Sequence, residues 1–171
     1  ISESKGMLMK KMLVTGGTTF VSKYVTSYFV NQGYEVYVLN RNTRQQVRGA
    51  KLISGDRHSL GDMLKGFHFD VVADITAYDG QDILDLCHAL DSFEQYIMIS
   101  SSAVYPEYGV QPFLEESERN ANIFWGGYGT NKIDAENVLL ARAPDAYILR
   151  PPYLYGPMNN VYREAFVFDC A

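Results

Sequence analysis

Short runs rich in Val, Ile, Leu and Tyr alternate along this chain with longer stretches of helical period, and this alternation constrains the fold more than any other feature. Such a pattern argues for βαβ units and a parallel sheet. It predicts strands near Met9 to Thr15, Glu35 to Asn40, Lys51 to Ser54, Asp70 to Asp74, Gln95 to Ser100 and Ala146 to Arg150. Helices are predicted near Phe20 to Gln32, Ser59 to Lys65, Gln81 to Leu90 and Tyr128 to Ala141. Gly33 suits the left-handed turn after the first helix, and Pro144 bars continuation of the last. The expected fold class is α/β: a doubly wound parallel sheet of about six strands with helices on both faces. In such a sheet the ligand crevice lies at the carboxyl ends of the strands, near the topological switch point.

Composition narrows the function classes. With 171 residues, 47% hydrophobic and 20% charged, the chain is an ordinary globular one of single-domain size, and disorder is excluded for most of it. Cys87 and Cys170 form no Cys-x-x-Cys, and His58, His68 and His88 form no His-x-x-x-His pair, so no metal site is expected. A net charge of −5 disfavours nucleic acid as the main partner, although a local basic patch is compatible with it. Apolar runs such as Ala146 to Leu149 fall far short of the roughly 20 residues that span a bilayer, so no membrane association is expected. No signal-peptide pattern opens the chain, and a cytoplasmic location is the corresponding expectation. Residues 1–9 read as a tail, or a remnant, leading into the first strand; residues 10–158 read as one domain. The long connection from Pro106 to Gly127 carries Glu107, Glu115, Glu116 and Glu118, and a connection of that length is more often functional than idle.

Three groups of residues carry chemistry. The first strand runs into Thr15-Gly16-Gly17-Thr18-Thr19-Phe20-Val21-Ser22, a glycine turn opening a helix, where Gly16 lets the backbone approach a pyrophosphate and Thr18 to Val21 surround it. A tight turn without a ligand is the alternative. The second strand ends at Asn40-Arg41, where an NAD site presents an acid to the ribose; with Arg41 and Arg44 there instead, a 2′-phosphate finds positive charge and NADP is favoured over NAD. A solvated basic face of Arg41, Arg44, Arg48 and Lys51 is the competing reading. Finally, Ser100-Ser101-Ser102 closes the fifth strand, and Tyr128-x-x-x-Lys132 opens the helix that follows, its i, i+4 spacing placing both side chains on one face. An ammonium beside a phenol favours the phenolate, which makes Tyr128 a usable base, while Ser101 hydrogen-bonds the same substrate oxygen. Singly, each residue also has a plain reading: packing for Tyr128, a surface cation for Lys132, a turn cap for the serine.

Taken together, Thr15-Gly16-Gly17, Ser101 with Val104-Tyr105, Tyr128-x-x-x-Lys132 and Arg150-Pro151-Pro152-Tyr153-Leu154-Tyr155-Gly156-Pro157 resemble the extended short-chain dehydrogenase/reductase family, in its NAD-dependent epimerase/dehydratase branch. The resemblance covers Lys10 to Pro157 and implies a Rossmann fold. It implies catalytic roles for Ser101, Tyr128 and Lys132, with Lys132 also on the nicotinamide ribose and Ser102 as the rival serine. It places Asp56 and Arg57 near the adenine, Thr76 and Ala77 along the cofactor, and Pro151 to Tyr153 near the nicotinamide. Family members carry glycine where this chain has Thr19 and Ser22. They also continue into a small substrate domain, so residues 159–171 read as the start of a truncated C-terminal region. The apolar Phe166, Val167 and Phe168 then predict self-association and make a homodimer an expectation. The implied activity is NAD(P)-dependent epimerisation, dehydration or reduction of a nucleotide sugar or similar hydroxyl substrate, through transient hydride transfer; the truncated fragment itself is expected to be inactive. The alternatives are a non-catalytic NAD(P)- or RNA-binding protein on the same fold, or a redox sensor holding NADP.

Overall fold

Residues 9–156, 158 and 159 are described by the structure, a computed structural model. Six strands form one all-parallel sheet: β1 (Lys11–Thr15), β2 (Glu35–Asn40), β3 (Lys51–Ser54), β4 (His68–Asp74), β5 (Ser92–Ile99) and β6 (Tyr147–Leu149). Their spatial order is β3-β2-β1-β4-β5-β6, so the order reverses between β1 and β4. The doubly wound expectation is met. Three α-helices connect the strands: α1 (Phe20–Asn31), α2 (Gly80–Ala89) and α3 (Gly127–Arg142).

Alternation along each strand sorts the side chains to two cores. Met12 and Val14 of β1, with Val36 and Val38 of β2, face α1 and pack near its Val25, Phe29 and Val30. Leu13 and Leu39 point the other way, into a larger core with Ile83 and Leu86 of α2 and Ala135 and Leu139 of α3. Helices therefore cover both faces. The glycine turn depends on this packing. Gly17 has φ +83°, and a Cβ added there would lie 2.6 Å from Val38 Cγ1.

One predicted helix is absent. In place of a helix over Ser59 to Lys65, a 3-10 turn at Arg57–Ser59 is followed by short turns closed by Met63 N–H to Leu60 O and Lys65 N–H to Asp62 O, each at 3.0 Å. Gly61 at φ +50° and Gly66 at φ +78° leave helical backbone space, while Leu60 and Leu64 still reach the core. Apolar spacing there reflects two buried leucines rather than a regular helix. Strands β4 and β5 begin earlier than predicted, at His68 and Ser92. Residues 1–8 of the expected tail, and residues 160–171 of the expected C-terminal region with the apolar Phe166 to Phe168 and Cys170, lie outside the described residues.

Two glycines separate backbone strain from packing. Gly33 also has a positive φ, +82°, but a Cβ there would meet nothing within 4 Å. Gly33→Ala should cost about 1 kcal/mol from backbone strain alone. Gly17→Ala should cost roughly 1–3 kcal/mol more, from collision with Val38. Urea unfolding of both variants checks the difference.

Candidate functional site

Two clefts open along the carboxyl ends of the strands, and Tyr78 lines both. The first, about 480 Å³, lies beside the glycine turn. Gly16, at φ +88°, donates its N–H to Leu39 O at 2.9 Å, which bends the chain sharply out of β1 and into α1. A Cβ on Gly16 would lie 3.1 Å from both Ser22 Oγ and Thr76 Cγ2, so only glycine lets the turn sit so close to its surroundings. At the head of α1, the N-cap Thr19 makes no side-chain cap and the first turn holds no acid. These uncapped amides suit an anion. By contrast, Asp79 caps α2 by accepting from Asp82 N–H at 3.0 Å. The residues present therefore fit a pyrophosphate group. Ser22 returns its hydroxyl to Thr19 O at 2.8 Å and so adds no unpaired group under the turn. Phe20 starts α1 at φ +37°, a strained value for a non-glycine residue, and lines the second cleft.

Beneath the first cleft lies a polar knot around Asp74, which is completely buried at the end of β4. Its carboxylate accepts from Thr15 Oγ1 at 2.8 Å, Tyr96 Oη at 2.6 Å and Arg57 Nη2 at 2.7 Å. Thr15 Oγ1 in turn accepts the N–H groups of Ile75 and Thr76 at 2.9 and 3.1 Å. Burial pushes the Tyr96 phenol well above its ordinary range, with Asp74 adding to the effect. Burial opposes the charge on Arg57, but Asp74 and Asp82 outweigh it. Arg57 is thus chiefly an ion-pair partner of Asp74; it reaches the cleft beside Thr76 Oγ1, 3.3 Å from its Nη1.

The second cleft, about 550 Å³, is lined by Ser101, Tyr128 and Lys132 together with Trp125, Pro151 and Tyr153. Lys132 is 3% exposed and donates to Ala77 O at 2.5 Å and Ile99 O at 3.0 Å. Its ammonium lies 5.8 Å from the centre of the Tyr128 ring and 5.2 Å from that of Tyr78. Burial holds the Lys132 ammonium below its ordinary pKa, against the pull of Asp74 and Asp82. Ser101 Oγ accepts from Ala103 N–H at 3.1 Å, capping the 3-10 turn Ser102–Val104. A capping oxygen used as acceptor keeps its own O–H for donation. Gly129, next to Tyr128, lies so close to Ala103 O that a side chain there would collide, which fixes the approach of α3 to this turn.

The sequence-predicted residues divide cleanly. Gly16, Thr18, Thr19, Asn40, Arg41, Arg44, Asp56, Arg57 and Thr76 line the first cleft. Phe20, Ser101, Tyr128, Lys132, Pro151 and Tyr153 line the second. Val21 lines neither, and Ala77 contributes its carbonyl from the core. Asn40 is committed within the protein, donating to Gly16 O at 2.6 Å and to Gln46 Oε1 at 3.0 Å. Asp56 accepts from His58 N–H at 3.0 Å. The rival serine, Ser102, is held in the turn by its N–H to Pro151 O, and the neighbouring Ser100 donates its hydroxyl to Glu136. Sequence reasoning missed Asp74 and Glu136; an acid ending an apolar strand, and one in register with Lys132 on a helix, were the available signals. Among the described residues no cluster of His, Cys, Asp and Glu is arranged to hold a metal ion, and no helix is long and apolar enough to cross a membrane.

Residues 12–82 match the NAD dependent epimerase/dehydratase family. The chain is 30% identical, over 92% of its length and 46% of the relative's, to the chloroplast stem-loop binding protein of 41 kDa b from Arabidopsis thaliana. Its fold is similar to that of UDP-glucose 4-epimerase from Thermotoga maritima, with TM-score 0.73 and 20% identity, covering 90% of this chain and 59% of that one. It is likewise similar to WbmG of Bordetella bronchiseptica in complex with NAD, with TM-score 0.73 and 17% identity, covering 94% and 58%. The chain spans about half the length of these relatives.

Beside the first cleft, His58 Nδ1 lies 2.7 Å from Asp85 Oδ2. The hydrogen bond raises His58 above its ordinary 6.5 and lowers Asp85 below 3.8. The raised histidine contributes stability below pH 6.5 that is lost as pH rises through its folded value; the lowered aspartate contributes above pH 3.8 and loses it as pH falls. His58→Gln should therefore lower the urea midpoint more at about pH 5.5 than at about pH 8.5.

Proposed function

We propose that the chain is a member of the NAD-dependent epimerase/dehydratase family, the cofactor-binding part of an enzyme that transiently oxidises a hydroxyl of a nucleotide sugar. One observation carries this reading: Ser101, just after β5, and Tyr128 and Lys132, on α3, line one cleft that adjoins the glycine-turn cleft. A bound nicotinamide dinucleotide supplies the hydride acceptor. Gly16 and the uncapped start of α1 hold its pyrophosphate, and Lys132, with two of its three donors on main-chain carbonyls, keeps one N–H for a ribose hydroxyl. Tyr128 takes the proton from the substrate hydroxyl and returns it in the reverse step, while Ser101 donates to the same oxygen. The Thermotoga maritima UDP-glucose 4-epimerase holds UDP-glucose in its structure, which supports that substrate class.

Arg41 and Arg44 are exposed on the first cleft, and no acid ends β2, so the reading includes a preference for NADP. Dissociation constants for both cofactors test it, with NADP expected to bind tighter; tighter NAD binding overturns the preference. In a version extended to the relatives' length, Tyr128→Phe should lower turnover of candidate nucleotide sugars by about 100-fold or more, followed by nicotinamide absorbance. Undiminished turnover removes Tyr128 as the base.

A second reading is RNA binding, favoured by a segregation of charge. Between Met9 and Ser54 the only acid is Glu35, and Lys51 pairs with it. The connection after β2 runs beside α1, with Arg41 and Arg44 near Thr18 and Thr19 at one end and Gly49 against Val30 at the other. Arg41, Arg44 and Arg48 are exposed along it. The Arabidopsis relative is named for stem-loop binding. Arg48 does not line the dinucleotide cleft, so Arg48→Glu should weaken binding of an RNA stem-loop and flatten its salt dependence by about one phosphate contact, leaving cofactor affinity unchanged. Absence of RNA association at low salt rejects this reading.

A further inference from the structure

Behind the second cleft, Glu136 of α3 is fully buried one helical turn beyond Lys132. Its Oε1 accepts from Ser100 Oγ at 2.5 Å and Arg150 Nε at 2.9 Å. Its Oε2 accepts from Arg150 Nη2 at 2.8 Å and Arg119 Nη1 at 2.7 Å. These four bonds fill the acceptor capacity of a carboxylate. They also join three separate pieces of chain to α3. Ser100 is the residue before Ser101, and its N–H is bound to Leu149 O of β6. Arg150 carries the tie outward, donating from Nη1 to Tyr105 Oη at 2.8 Å and to Glu115 O at 2.9 Å. Tyr105 Oη donates to Leu114 O at 3.0 Å, and the Tyr105 ring stacks on Phe113 at 4.5 Å. Arg119 also reaches Asn137 Oδ1 at 3.0 Å.

We propose that Glu136 is a positioning residue: it clasps the serine-bearing end of β5 and the connection 106–126 onto the helix that carries Tyr128 and Lys132. The inference rests on the catalytic reading for its functional consequence, while the clasp stands on its own geometry. Glu136, Arg119 and Arg150 line neither cleft, so they act on the site only through Ser100, Ser101 and the placement of α3. The end of β5 and the start of α3 are joined by the longest irregular connection among the described residues, so chain connectivity alone does not set the spacing of Ser101 from Tyr128. A buried carboxylate with two arginines sets it instead, because neither arginine can leave without stranding a buried charge. Hydrogen bonding from Arg150, Ser100 and Arg119 outweighs the effect of burial and holds the Glu136 carboxyl below its usual range, consistent with an ionised clasp.

The test compares Glu136→Gln, Ser100→Ala and Arg119→Gln with the parent by site-resolved amide hydrogen exchange, which needs no turnover. Glu136→Gln should speed exchange at Ser102 and across 113–119, leaving β1 and β2 protected. Ser100→Ala should affect Ser102 alone, and Arg119→Gln the 113–119 segment alone, so the two milder variants decide the question if Glu136→Gln does not fold. Uniform changes across the domain, or no change in either milder variant, overturn the clasp. In the extended enzyme, Glu136→Gln should lower kcat by about tenfold or more while cofactor affinity stays within about twofold. Unchanged kcat overturns positioning. A parent without turnover on nucleotide sugars counts against the proposed function and leaves the exchange result to decide the clasp.

Discussion

The pairing of β1 with β4 governs everything built above the sheet. Met12, Leu13 and Val14 run in register beside Val71, Val72 and Ala73, although about 60 residues separate them in sequence. That pairing places the reversal of strand order at the centre of the sheet. On one side the chain winds outward through α1 to β2 and β3; on the other it winds through α2 and α3 to β5 and β6. Connections leaving β1 and β4 diverge, so their ends border an open crevice. Asp74 locks this junction by drawing Thr15, Tyr96 and Arg57 to one buried carboxylate.

Two buried carboxylates thus divide the structural work. Asp74 ties the ends of β1 and β4 to Tyr96 of β5 under the first cleft, and Glu136 unites β5, β6 and the long connection with α3 behind the second. Burying such groups is costly unless every acceptor site finds a donor, and removing one partner exposes that cost in full. Here each carboxylate is matched by arginine and hydroxyl donors. Apolar packing alone allows side chains to slide past one another, whereas these bonds specify particular atoms.

Much of the fold was legible in the linear pattern. The six strands, α1, α2 and α3 follow from apolar periodicity with glycine and proline punctuation, because a strand or helix must present one repeating face to a core. Periodicity misled at Ser59 to Lys65, where Leu60 and Leu64 are buried from separate turns. The glycine turn and the Tyr128/Lys132 spacing were legible for a similar reason: local backbone geometry dictates both. Side-chain partnerships were not. Nothing in the order of residues says that Arg57 turns to Asp74, that Asn40 spends its amide on Gly16, or that Ser100 gives its hydroxyl to Glu136; one position along the chain changes the partner.

By itself, the amino-acid order determined the period of each element, the sharp glycine bend out of β1 and the pairing of Tyr128 with Lys132 on one helix, since all of these act over a few residues. Tertiary structure alone decided which polar groups stay available and which are consumed. Hydrogen bonds between residues tens of positions apart require the closed sheet before the atoms can meet, and that closure takes Arg57 for Asp74 and Ser100 for Glu136 while leaving Ser101, Tyr128 and Lys132 around one cleft.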